Sequence, residues 1–183
     1  MSWITEVHES AAEGRLKECY ERVIRGLGRM IPFYRVFTPS PRLLAAHLEF
    51  YGALGGPGVL SKLRREYIAT AVSAENGCAH CTELHGGFLR ALGADPALVQ
   101  ALATDPAAAV LPPVDRAILD YALKLTRAPR TMTRADVDAL RGHGCSEAEI
   151  FEIAFTTAYF NYTNRVAEGL GVEPELPRRV AER

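Results

Sequence analysis

SKLRREYIATAVSAENGCAHCTELHGGFLRALG, residues 61–93, reads as two helices joined by a tight turn. Ser61 can cap the first, which runs to Asn76-Gly77, a pair suited to stopping a helix. The second is expected from about Cys78 to Leu92, with Gly93 as its left-handed terminator. Along one uninterrupted helix Glu66 would lie about 18 Å from Cys78, beyond contact. If the chain instead folds back at Asn76-Gly77 as an antiparallel hairpin, Glu66 and His85 lie at comparable distances from the turn and can face each other. Within the second helix, positions three, four and seven apart share a face, so Cys78, Cys81 and His85 project together.

Helical periodicity continues on both sides of this hairpin. From Ala11 to Gly26, Leu16, Tyr20, Val23, Ile24 and Leu27 recur at three- and four-residue steps among charges, and Gly26 and Gly28 end the run. Ser40-Pro41 opens a helix through Leu54, broken by Gly55-Gly56-Pro57-Gly58. Asp95-Pro96 starts a short helix, Ala103–Pro113 reads as a connection, and Pro112-Pro113 precedes a helix over Val114–Thr126. Thr133 can cap a helix reaching Arg141. Ser146 with Glu149 forms a capping box for the apolar run from Ile150, which should end at Gly169–Gly171. Alternating strand patterns bounded by hairpin turns are missing. The expected fold is all-α: one domain over residues 1–183, a compact multi-helix bundle with the C-x-x-C motif at the N-terminus of a helix in an antiparallel hairpin.

The chain has 183 residues, a net charge of −1 and no dense Lys/Arg block, so neither nucleic acid nor an anionic membrane is an expected partner. Met1-Ser2-Trp3-Ile4-Thr5-Glu6 lacks the basic and apolar regions of a secretory leader, and no stretch is apolar for the length of a bilayer. A cytoplasmic location is expected. Four cysteines are too few for a disulfide-stapled secreted scaffold. Cys19 and Cys145 stand alone and read as small buried apolar side chains. In a reducing compartment the pair Cys78/Cys81 suggests a reactive dithiol or a metal site. Zinc on Cys78, Cys81 and His85 is disfavoured because structural sites draw ligands from two knuckles and no second C-x-x-C is present. No metal and no cofactor is expected.

Two thiols, two imidazoles and a carboxylate suit thiol redox chemistry. A helix N-terminus and a neighbouring imidazolium favour the thiolate, and Glu66 can orient and charge-stabilise His85. His80 adjoins Cys81, yet on an ideal helix its side chain points away from the Cys78–Cys81 face. A thiolate attacking an O–O bond becomes a sulfenic acid, which a second thiol nearby converts to a disulfide before overoxidation. An external dithiol then restores it. This favours peroxide reduction or disulfide exchange, and without a βαβ setting a thioredoxin-type fold is disfavoured. The alternative is a redox-sensing dithiol adaptor or binding protein with little turnover. His8, His47 and His143 read as surface or packing residues. Tyr51, Tyr67, Tyr159 and Phe160 read as core; Asn161, Asn164 and Arg165 as helix-to-helix hydrogen bonding; and the alternative for Glu66 is an ordinary solvated helix face shared with Arg64 and Arg65.

Glu66, eleven intervening residues, Cys78-x-His80-Cys81 and then three residues to His85 resembles the signature of the alkylhydroperoxidase D-like proteins of the carboxymuconolactone decarboxylase superfamily. More broadly, Leu43–Gly93 and Phe160–Ala167 are similar to its peroxidase-related branch. The resemblance implies an all-helical homo-oligomer and a thiol peroxidase without haem or metal, acting on alkyl hydroperoxides with a dihydrolipoamide-type adaptor or other external dithiol as reductant. By the same resemblance Cys81 is the peroxidatic thiol and Cys78 the resolving one. Glu66 and His85 form the proton relay, with His80 assisting. The reaction of the decarboxylase branch is not carried over.

Overall fold

The computed structural model describes residues 2–174. Its helices are α1 (Gly14–Leu27), α2 (Pro32–Arg35), α3 (Pro41–Gly55), α4 (Lys62–Glu75), α5 (Ala79–Ala91), α6 (Pro96–Thr104), α7 (Pro113–Arg127), α8 (Arg134–Gly142) and α9 (Glu147–Gly169), with 3-10 turns at Glu9–Ala11 and Pro129–Thr131. No strand occurs among the described residues, so the fold is all-α. Most helix ends fall where local chemistry puts them. Ser40, Ser61 and Asp95 side chains accept the amides of Leu43, Arg64 and Ala97, and Thr133–Asp136 and Ser146–Glu149 close capping boxes. Some details differ from expectation: α1 begins at Gly14 and not at Ala11, and it runs through Gly26 to Leu27 before Gly28, at φ +75°, ends it. The single turn α2 carries too few residues for a periodicity to be read, and α5 begins at Ala79, with Cys78 as its N-cap.

Helix α4 is the centre of the packing, in contact with α5, α6, α7 and α9. Ile68 to Ser73 is an unbroken buried run, as a helix enclosed on all sides requires, and Ala69, Ala71 and Ser73 let the neighbouring helices come close. Ile68 and Val72 pack with Ile118, Leu140 and Ile153 on one side, while Ala71 packs with Leu89, Val99 and Leu119 on the other. Each large aliphatic so buried contributes about 1.5–3 kcal/mol. A further cluster joins α1, α2 and α3 through Tyr20, Phe33 and Leu44, and it includes Cys78 and Cys81. Cys19 and Cys145 are buried as small apolar side chains.

The turn between α4 and α5 decides where the sulfurs go. Gly77 adopts φ +70°, a left-handed conformation that glycine reaches without a Cβ penalty. Its N–H donates to Ala74 O and the Cys78 N–H to Ser73 O, the paired bonds of a Schellman turn. Cys78 therefore closes α4 and opens α5 in one residue. Helix α9 ends in the same way at Gly171, φ +66°, where the Trp3 ring lies so close that a Cβ would collide with it. Among the described residues no helix is long and apolar enough to cross a membrane.

Candidate active site

The Cys78 and Cys81 sulfurs are unbridged and 2.7 Å apart, with the Cys78 thiol donating to Cys81 Sγ. Cys81 sits in the first turn of α5, where the helix dipole favours negative charge. Its pKa is held below the ordinary thiol value, chiefly by the Cys78 hydrogen bond and further by one from Asn164, against the opposing effect of burial. Cys78 moves the opposite way, pushed up by that same bond and by burial. The two thiols thus differ in acidity, Cys81 the readier and Cys78 the more reluctant to lose its proton. The sequence pointed to the imidazole–carboxylate pair as the stabiliser of the thiolate; the hydrogen bonds that lower Cys81 come instead from Cys78 and Asn164.

Asn164 packs helices, as its sequence context suggests. Its Oδ1 accepts from Asn76 Nδ2 at 3.0 Å and its Nδ2 donates to Ser73 Oγ at 3.0 Å. The second amide hydrogen remains for Cys81. A detectable signal was the row of polar residues Thr156, Thr157, Thr163 and Asn164 on a helix face that is buried, since buried polar groups require partners.

The hairpin also brings Glu66 and His85 together, with Glu66 Oε2 2.7 Å from His85 Nδ1 and both side chains buried. With Nδ1–H donated to the carboxylate, Nε2 is the nitrogen free for proton transfer. The ring is clamped edge-to-face by Phe160 at 4.7 Å and faces the same cavity as Cys81. Arg64, one step from this face, pairs with Asp115 at 2.7 Å and Glu149 at 3.4 Å and so belongs to a helix contact rather than to a solvated surface.

His80 corrects the expectation of an imidazole turned away. Only 4% exposed, it lines the cavity beside Cys81, because adjacent helical residues differ by about 100° and not by half a turn. Burial, then the proximity of His85, pushes its pKa down to about 4, opposed by a bond to the Glu173 backbone. Nε2 has no partner, so Nδ1 makes that bond, donating to the carbonyl, and Nε2 presents a bare lone pair. His47, which the sequence presents as a surface or packing residue, also lines the cavity. It is buried, with Nε2 3.0 Å from Tyr159 Oη and Nδ1 3.5 Å from Tyr162 Oη, and burial brings its pKa down to about 4. Tyr51, Tyr159 and Phe160, expected as core, line the cavity. Among the described residues no cluster of three or more His, Cys, Asp or Glu side chains is arranged to hold a metal ion.

Residues 41–124 match the model of the carboxymuconolactone decarboxylase family. A crystal structure described as alkylhydroperoxidase AhpD core, an uncharacterized peroxidase-related protein from Ralstonia eutropha JMP134, is 31% identical, with 95% of this chain and 92% of that one covered and a TM-score of 0.87. An uncharacterized peroxidase-related protein from Silicibacter sp. TM1040 is 36% identical over 87% of this chain and 84% of its own, with a TM-score of 0.81. The debrominase Bmp8 shares the fold, with a TM-score of 0.78 at 19% identity over 94% and 91% of the two chains. No curated protein matches the sequence.

Proposed function

This chain belongs to the alkylhydroperoxidase D-like proteins of the carboxymuconolactone decarboxylase family, and on that premise we propose that it is a thiol peroxidase working through a Cys81/Cys78 dithiol–disulfide cycle. The observation that carries the reading is the buried 2.7 Å contact of the two sulfurs, with Cys81 and His85 lining one cavity and Glu66 paired with His85.

Cys81, as the thiolate, attacks the terminal oxygen of a hydroperoxide. An S–O bond forms, the O–O bond breaks, and the departing alkoxide takes a proton to leave as the alcohol. His85 supplies and recovers protons, directly or through one water, while the Glu66 carboxylate stabilises its imidazolium form. His80, neutral and with Nε2 bare, accepts the hydrogen bond of the incoming O–O–H. Cys78 then attacks the Cys81 sulfenic acid; the S–S bond forms and the hydroxyl departs as water. Since a disulfide is about 2.05 Å long, closure asks for a sub-ångström movement of the sulfurs. An external dithiol reduces the disulfide by exchange, so that hydroperoxide and dithiol become alcohol, disulfide and water. No metal or cofactor enters the cycle, which suits a reducing cytoplasm. A second copy of the chain is proposed to cover the stacked, exposed Phe151 and Phe155, whose ring centroids are 4.3 Å apart.

The test is stopped-flow oxidation of the reduced protein by a hydroperoxide, followed by intact mass. Rapid consumption with loss of two hydrogens is expected for wild type, and none for Cys81→Ser. Equal rates for the two proteins would remove the proposal. One slow stoichiometric oxidation that changes assembly, with no turnover on added dithiol, would favour a redox-sensing adaptor instead.

A further inference from the structure

The room in front of Cys81 is small. The cavity measures about 40 Å³, space for roughly three waters at about 10–15 Å³ each. Its largely apolar walls would welcome an alkyl or aryl group, but the volume falls well short of one. Nor do the walls yield one ring at a time. Tyr159 stacks on Tyr51 at 5.8 Å and on His47 at 5.6 Å, and it meets Phe160 edge-on at 5.3 Å; Phe160 in turn meets His85 edge-on at 4.7 Å. Each of these residues lines the cavity. A guest too large for it must therefore displace several packed rings together, and close-packed interiors resist added volume.

One residue of this small space carries a buried polar atom without a partner, His80 through its Nε2. Among the described residues such atoms also occur on Thr70, Arg116 and Thr156, and none of these three lines the cavity. With Nδ1 committed to the Glu173 carbonyl, the ring offers Nε2 as a lone pair only. An unmatched buried acceptor calls for a donor that fits beside it. In a cavity that Cys81 also lines, the donor a nucleophilic sulfur needs is the O–H of a peroxide. His85 lines the same cavity, its Nδ1 held by Glu66 at 2.7 Å and its Nε2 left for proton transfer. The smallest molecule that joins an O–O bond to such an O–H is hydrogen peroxide, whose two oxygens take the room of about two waters.

We infer that the substrate is hydrogen peroxide itself, received in this cavity with one O–H donating to His80 Nε2, and that bulkier alkyl and aryl hydroperoxides are excluded by size. This rests on the peroxidase reading and narrows it to the smallest member of the class. The Cys81 thiolate, its proton held on His85, attacks one oxygen; an S–O bond forms, the O–O bond breaks, and the other oxygen leaves with the bonding pair as hydroxide. That hydroxide takes the proton from His85 and departs as water. Cys78 closes the disulfide with loss of a second water, and an external dithiol restores both thiols, so that one peroxide and one dithiol become one disulfide and two waters.

Reduced protein is mixed by stopped flow with hydrogen peroxide, tert-butyl hydroperoxide and cumene hydroperoxide. Each second-order rate constant is divided by that of the same peroxide with free dithiothreitol, which removes the intrinsic reactivity of the O–O bond. Hydrogen peroxide should then exceed each of the others by about a hundredfold or more, with intact mass recording the loss of two hydrogens. Enlarging the cavity should relax the filter: Phe33→Ala, and Leu27→Ala as a milder change at a partly buried wall residue, should each narrow that ratio by about tenfold. A ratio unchanged in both variants would place the selectivity outside the cavity and overturn the size filter. Similar normalised rates for the three peroxides, or faster reaction of either bulky one, overturn the inference and leave the peroxidase reading standing. No consumption of any of them removes the peroxidase reading and the inference with it.

Discussion

Helices α5 and α9 begin in opposite ways. At α9, Ser146 Oγ accepts the Glu149 N–H at 3.2 Å while the Glu149 carboxylate accepts the Ser146 N–H at 2.9 Å, so both ends of the capping box are closed at the protein surface. At α5 the N-cap is Cys78, which makes no side-chain cap bond; its thiol is committed to Cys81 instead. A good cap is worth about 1 kcal/mol. Helix α5 forgoes it and leaves its first amides and their positive field to the Cys81 thiolate. Its start is held by tertiary packing, with Cys78 fully buried, and by the Schellman turn behind it. One terminus is closed by its own capping box and the other is left open beside a pair of thiols, which makes each of them separately breakable.

The largest expected effect comes from removing the charge behind α5. Glu66→Gln keeps the size of the side chain that contacts His85 but not its ability to stabilise an imidazolium. Oxidation of Cys81 should slow by about 10³-fold with little change in the circular dichroism of the fold. A rate within twofold of wild type, measured by stopped flow, would show that the pair is structural.

Acid should separate the two termini next. His47 and His80 are neutral in the folded protein, with pKa values of about 4, against about 6.5 in the unfolded chain. As pH falls from 6.5 towards 4 the unfolded state takes up more protons than the folded one, so stability declines through that window, on the order of 2 kcal/mol for each imidazole by pH 5. Glu149 behaves differently: its bond to the Ser146 backbone holds it below the usual carboxylate range, so the α9 cap persists until the pH drops below about 4.5. Urea unfolding at pH 7 and pH 5 measures the loss. An unchanged midpoint would mean that the two rings are not held neutral.

Ser146→Ala targets the other terminus. It should lower stability by about 1 kcal/mol and leave the rate of Cys81 oxidation unchanged; a slower reaction would couple the α9 cap to the site. The smallest shift in stability is expected for Cys78→Ser, which gives α5 a competent cap worth about 0.5 kcal/mol. Intact mass after peroxide should then show the gain of oxygen on Cys81 rather than disulfide formation, because no resolving thiol remains. Formation of an intramolecular disulfide in this variant would place the resolving role on Cys19 or Cys145.

The helix boundaries were legible because their causes are local. Ser61, Asp95 and Ser146 act within three residues of themselves, and Gly77 turns the chain by its own backbone freedom. The proximity of Glu66 and His85 was also legible, since equal distances from a turn become equal heights in a hairpin. His80 was misplaced because its surroundings include Glu173, far along the chain, and because a neighbour in a helix is only partly rotated from the next residue. Asn164 was undervalued for a similar reason: an amide between helices and an amide on a sulfur look alike until Ser73, Asn76 and Cys81 are assembled around it. The aromatic residues of α2, α3 and α9 satisfy the pattern of a core, and whether a buried ring faces another ring or an open cavity is not encoded in its spacing.

By itself the amino-acid order determined an all-helical chain with a dithiol at the start of a helix and an acid–base pair across the adjoining turn, because capping, turning and helical periodicity act over a few residues. The tertiary structure alone decided which groups depress the Cys81 pKa, that His80 and His47 are neutral and enclosed, and that Tyr34, Tyr51, Tyr159 and Phe160 surround a cavity. Those properties depend on burial and on hydrogen bonds between residues distant in sequence, and neither exists until the helices pack.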